Sequence, residues 1–129
     1  MNLNFAIKQQ IWQTLRRTDI YVVKSHNEEG TFYSSSVKNY HDETLLTYER
    51  DTVQGKHKIT FMGGVVAEMN LHVNMEMTQQ HEDILNVGKA IDNKANELKK
   101  ISEAMHNMSK EESLIYQRAF RELQNARYE

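Results

Sequence analysis

Residues 67–77 read Ala-Glu-Met-Asn-Leu-His-Val-Asn-Met-Glu-Met, six apolar residues alternating without a fault with five polar ones. A period of two marks a strand with one face in a core and the other outside it. Ala67, Met69, Leu71, Val73, Met75 and Met77 therefore need a hydrophobic layer against them, while Glu68, Asn70, His72, Asn74 and Glu76 share the opposite face. At roughly 3.4 Å per residue the strand would run about 35 Å, long enough to frame a whole sheet.

Its register constrains the segment before it. A two-residue Gly63-Gly64 turn would put Lys56 and Lys58 on the face of Met69 and Leu71. A three-residue loop, Met62-Gly63-Gly64, instead pairs Phe61 with Val65, Ile59 with Ala67, His57 with Met69 and Val53 with Val73. It also sets Lys58 opposite Glu68 and Gln54 opposite His72, and this register is the predicted one.

Four earlier β-rich segments precede the long strand: Ile20-Tyr21-Val22-Val23, Thr31-Phe32-Tyr33, Thr44-Leu45-Leu46-Thr47-Tyr48 and Ile59-Thr60-Phe61. Turn-forming clusters at Asn27 to Gly30, Asn39 to Asp42, Arg50 to Thr52 and Met62 to Gly64 separate them, which predicts an antiparallel meander. Ser34-Ser35-Ser36 lacks the flanking glycines of a nucleophile elbow and reads as a sheet edge or a thin place in the sheet. Before the meander, Asn4 can cap a helix on which Leu3, Ile7, Ile11 and Leu15 recur every four residues, ending near Arg17.

After Met77 the period becomes helical. Thr78 can cap, and Ile84, Val87, Ile91, Leu98, Ile101, Met105 and Met108 follow a 3-4 spacing whose one failure is Lys94. Ser109-Lys110-Glu111-Glu112 is a capping-box pattern that restarts a second helix, giving a helical hairpin hinged near Asn107 to Ser109. The expected fold is thus α+β in one domain: a helix over 1–17, a five-stranded antiparallel sheet over 18–77 and the hairpin over 78–129.

Magnitude adds a further expectation. A helix over residues 79–107 would be roughly 43 Å long, against a diameter of about 36 Å for a globule of this size. Either it breaks at Gly88 or it projects, and the 3-4 seam continuing in phase favours projection onto another copy. Ile91, Leu98, Ile101 and Met105 are the expected oligomer interface.

Composition closes off several functions. The 129 residues carry no Cys and no Pro, so disulfides, thiol catalysis and cysteine-based zinc sites are excluded. A formal charge of −2 gives no general field for a phosphate backbone or an anionic membrane, so neither nucleic acid nor membrane is expected as a partner. No signal peptide or spanning segment is read, and the expected compartment is the cytoplasm.

Catalytic patterns fail on geometry. Glu68 and Glu76 would lie about 27 Å apart along one strand, beyond the reach of a paired-carboxylate mechanism. His81-Glu82-Asp83-Ile84-Leu85 begins like a zincin helix but lacks the second His, and Gly63-Gly64 has no Lys-Ser/Thr following for a phosphate loop. No catalytic, metal or cofactor residues are expected. The reading is a non-enzymatic interaction protein that self-associates through its C-terminal helices and binds a protein partner as inhibitor or adaptor. Small chains without Cys or Pro are common among phage and mobile-element accessory proteins. The alternative is a binder of a nucleotide-like anion at Asn70, His72 and Asn74, joined by Arg118 and Arg121 across a subunit boundary.

Overall fold

The computed structural model describes residues 3–71 and 76–106, together with 112, 115, 117–119 and 121. The order is helix α1 (Phe5–Leu15), strands β1 (Ile20–His26), β2 (Phe32–Asn39), β3 (Thr44–Asp51), β4 (Lys56–Phe61) and β5 (Gly64–Asn70), then helix α2 (Gln79–His106). The sheet order is β1-β2-β3-β4-β5, every pair antiparallel, as the meander requires. The chain divides into two compact units, Met1–Asn96 and Glu97–Glu129. Among the described residues no helix is long and apolar enough to cross a membrane.

Both helix starts follow from their caps. The Asn4 side chain accepts from the Ile7 N–H at 2.8 Å, satisfying a donor that the first turn would otherwise leave orphaned. At α2, the His81 N–H donates to Thr78 Oγ1 at 3.3 Å and the Thr78 N–H donates to His81 Nδ1 at 3.1 Å. This is a capping box in which an imidazole replaces the usual Glu or Gln. α2 runs unbroken through Gly88, because the glycine faces the Tyr48 ring and a Cβ there would lie 2.9 Å from Tyr48 Cε1. The missing side chain is a packing requirement rather than a break.

The core of the first unit lies on one face of the sheet. Cross-strand pairing places Val22, Val37, Leu46 and Phe61 in one row and Ile59 and Ala67 in the next, and these pack with Ile11 and Leu15 of α1 and Ile84, Val87 and Ile91 of α2. Lys8 on α1 pairs with Asp83 on α2 at 3.2 Å. The other face carries Ser36, Thr47 and Thr60 in one row and Glu49, Lys58 and Glu68 in the next. Lys58 lies 3.7 Å from Glu49 and Lys56 lies 2.5 Å from Glu68, the solvated pattern of an antiparallel sheet covered on one side.

Three expectations are corrected. The strand over 67–77 is shorter: β5 ends at Asn70, because β4 begins at Lys56 and the chain before it turns away. The Leu71 N–H to Gly55 carbonyl bond at 2.7 Å is the last rung among the described residues, and Val53, 76% exposed, lies in the β3–β4 turn. The expected Val53–Val73 and Gln54–His72 pairs involve residues outside those described. Second, the β4–β5 connection is a two-residue turn, Met62-Gly63, with φ of 51° and 86°. Positive φ at both centres matches the twist of the flanking strands. A register shift between Ile59 and Thr60 then restores the expected Ile59–Ala67, Lys58–Glu68 and His57–Met69 pairs, while Phe61 meets Gly64 rather than Val65. Third, the sheet-edge alternative for Ser34, Ser35 and Ser36 fails, since they lie on β2, an interior strand paired on both sides. The predicted hinge and residues 109–111 of the second capping box lie outside the described residues; residues 112, 115, 117–119 and 121 are helical and exposed.

Candidate functional site

Each of the first three strands turns from apolar to polar at the same level of its core-facing side. On β1, Ile20 and Val22 give way to Lys24 and His26; on β2, Val37 gives way to Ser35 and Tyr33; on β3, Leu46 gives way to Tyr48 and Arg50. The register aligns these changes. Lys24 pairs with Ser35 and Ser35 with Tyr48; in the next row His26 pairs with Tyr33 and Tyr33 with Arg50. The result is a cleft of about 270 Å³ floored by those six residues and walled by Asp92 of α2, all within the first unit.

Its charges are held in place. Lys24 Nζ lies 2.9 Å from Asp92 Oδ1, tying β1 to α2. The Arg50 guanidinium lies over the Tyr33 ring, 4.9 Å from its centroid, and makes no ion pair among the described residues. Stacking keeps a guanidinium plane oriented while leaving its N–H edge to bond in that plane. His26 and Tyr33 rings are 6.2 Å apart and tilted by 47°.

Behind the cleft, the Tyr48 hydroxyl and His57 Nδ1 are 2.5 Å apart. Burial pushes the Tyr48 hydroxyl above its ordinary value, Arg50 opposing this and Asp92 assisting. Burial also pushes His57 below its ordinary value, and the charges of Arg50 and His81 push the same way. A neutral His57 accepts at Nδ1 from the phenol and carries its own proton on Nε2. The sign for stability follows. The unfolded chain binds a proton at His57 near pH 6.5 and the folded chain only below that, so lowering pH from there favours unfolding. The urea midpoint is expected to fall as pH drops below about 6.5, and to fall less steeply in His57→Gln; equal slopes would remove His57 from the linkage.

The sequence-predicted residues are placed as follows. Asn70 is exposed on the far face of the sheet, paired with Lys56, away from the cleft. His72 and Asn74 lie outside the described residues. Arg118 and Arg121 are exposed helical residues of the second unit. Ile91 is fully buried in the core of the first unit and is not available to another copy. Leu98, Ile101 and Met105 line a shallow groove with Ser102 and His106 in the second unit; Ile101 is 52% and Met105 70% exposed.

Sequence reading missed the cleft. Its signal is the paired polar residues Lys24-x-His26, Tyr33-x-Ser35 and Tyr48-x-Arg50, each on the inward parity of its strand. Finding it requires the register between strands, since each pair alone reads as a strand end. The cleft offers a cation, a guanidinium fork, hydroxyls and an aromatic face. Among the described residues no cluster of three His, Asp or Glu side chains forms that would hold a metal ion. Comparison with protein-family models, curated protein sequences and solved structures finds no match to this chain.

Proposed function

We propose that the protein is a non-enzymatic interaction protein that self-associates through the second half of α2 and acts by occupying a protein partner as inhibitor or adaptor, with its C-terminal residues forming a helical hairpin. One observation carries this reading. The 3-4 seam of α2 is buried at Ile84, Val87 and Ile91 but continues in phase into Leu98, Ile101 and Met105, and residues 101–106 are all exposed. A heptad-like repeat is self-complementary, so a second copy presents the same ridge of knobs and holes, and apolar residues in that phase gain most from a helical partner.

Light scattering after size exclusion tests it. The wild-type chain is expected to elute at a multiple of its 15.2 kDa mass, and Leu98→Lys is expected to return it to that mass while leaving the circular dichroism of the folded chain unchanged. A wild-type monomer at tens of micromolar refutes self-association. Capture from native-host lysate with the assembled protein as bait then asks whether the partner is a protein, and Leu98→Lys as bait asks whether assembly is needed.

A further inference from the structure

We propose that the cleft on the helix-covered face of the sheet binds a compact phosphate monoester, its phosphate seated over Ser35 between Lys24 and Arg50. This site stands apart from the self-association reading and shares no residue with it.

The arrangement follows from the register. Ser35 sits on the middle strand of three, with Lys24 directly across on one side, and Tyr48 across on the other with Arg50 two residues beyond it. Adjacent strands are about 4.8 Å apart and alternate residues about 6.8 Å apart along a strand, so an ammonium, a hydroxyl and a guanidinium fork line one cleft from three strands, a donor set that suits a tetrahedral oxyanion. Arg50 is held on Tyr33 and has no carboxylate partner among the described residues, so its charge is oriented before any ligand arrives. Lys24 is shared with Asp92, whose carboxylate faces the same cleft and opposes an anion on the α2 side. Asp92 therefore directs the phosphate toward Arg50 and away from the helix.

Size limits the ligand. The cleft holds about 270 Å³, just below the roughly 300–1,000 Å³ of drug-sized sites. A phosphate with a pentose-sized carrier fits within it, and a longer ligand would extend into solvent. The Tyr33 and His26 rings at the outer row give the carrier an apolar surface on which to lie.

Titration of the full-length ¹⁵N-labelled chain with inorganic phosphate and with ribose 5-phosphate, at ionic strength matched with sodium chloride, tests the proposal. Saturable shifts at the Lys24, Ser35, Tyr48 and Arg50 amides are expected, with ribose 5-phosphate binding more tightly than phosphate. Arg50→Gln is expected to weaken ribose 5-phosphate on the order of tenfold, the effect of losing one charged pair in a half-open site, and Lys58→Gln on the opposite face to leave it unchanged. If Arg50→Gln does not fold, the wild-type shift map and Ser35→Ala decide. No saturation at tens of millimolar, shifts mapping elsewhere, or an unchanged affinity in a folded Arg50→Gln overturns the proposal. Saturation by phosphate alone overturns the monoester.

Discussion

Ile91→Ala is expected to lower the unfolding free energy of the first unit by about 3 kcal/mol, whereas Ile101→Ala on the same seam of the same helix changes it by less than about 0.5 kcal/mol. The two substitutions delete the same atoms. Ile91 is 0% exposed and packs with Ile84, Val87 and the sheet, so truncation leaves a cavity that close-packed neighbours fill only in part. Ile101 is 52% exposed, and its removal takes little apolar surface out of a protein interior. Urea unfolding followed by the fluorescence of Trp12, which packs against the core of the first unit, measures both. Ile101→Ala is expected instead to shift the oligomer equilibrium. Equal losses of stability would mean that the seam serves one interior along its whole length, and the self-association reading would lose its basis.

Gly88→Ala is expected to destabilise the chain by up to about 2 kcal/mol, although alanine is the better helix former. In an open helix the exchange would stabilise by roughly 1 kcal/mol. Here the new Cβ would lie 2.9, 3.0 and 3.2 Å from three atoms of the Tyr48 ring. That ring has little freedom to yield, because its hydroxyl is bound to His57 at 2.5 Å. Overpacking of this kind costs about 1–3 kcal/mol, which outweighs the propensity gain. A double-mutant cycle separates the two terms. In a Tyr48→Ala background the clash is gone, so Gly88→Ala is expected to become neutral or stabilising, with a coupling near 2 kcal/mol. An additive cycle would show that Tyr48 is not what excludes a side chain at position 88.

How much of this was legible in the sequence differs by element. The meander and α1 follow from local chemistry: turn residues punctuate the strands, and Asn4 caps a four-residue repeat. The register of β4 with β5 was readable over Ile59, Lys58 and His57 because a slip would put lysines in the core. The turn itself was not readable, because a bulge beyond Ile59 lets a two-residue turn reach the same register, and alternation alone does not distinguish the two. The length of β5 failed for a related reason: alternation states what a segment can do, but a strand extends only as far as its neighbour accompanies it. Gly88 was ambiguous because its reason, the Tyr48 ring, lies on another element. The cleft was invisible one strand at a time, since Lys24, Ser35 and Arg50 meet only once three strands are aligned.

Because every strand pairs with its sequence neighbour, the sheet can assemble through short loops alone. Closing a loop of about five residues costs roughly 1.4 kcal/mol of chain entropy by the logarithmic term, while bringing Lys8 to Asp83, 75 positions apart, costs roughly 3.8 kcal/mol by the same term. The order of events follows from that difference. Hairpins are expected to form first, and the face that bears Val37, Leu46, Ile59 and Ala67, on which α1 also packs, is fully covered only when the start of α2 arrives. No prolyl bond exists to stall that sequence. During synthesis the cover of the sheet is therefore expected to be complete only with residues as late as Ile91, so that α2 up to that point closes the interval in which the apolar surface left beside α1 can find the wrong partner.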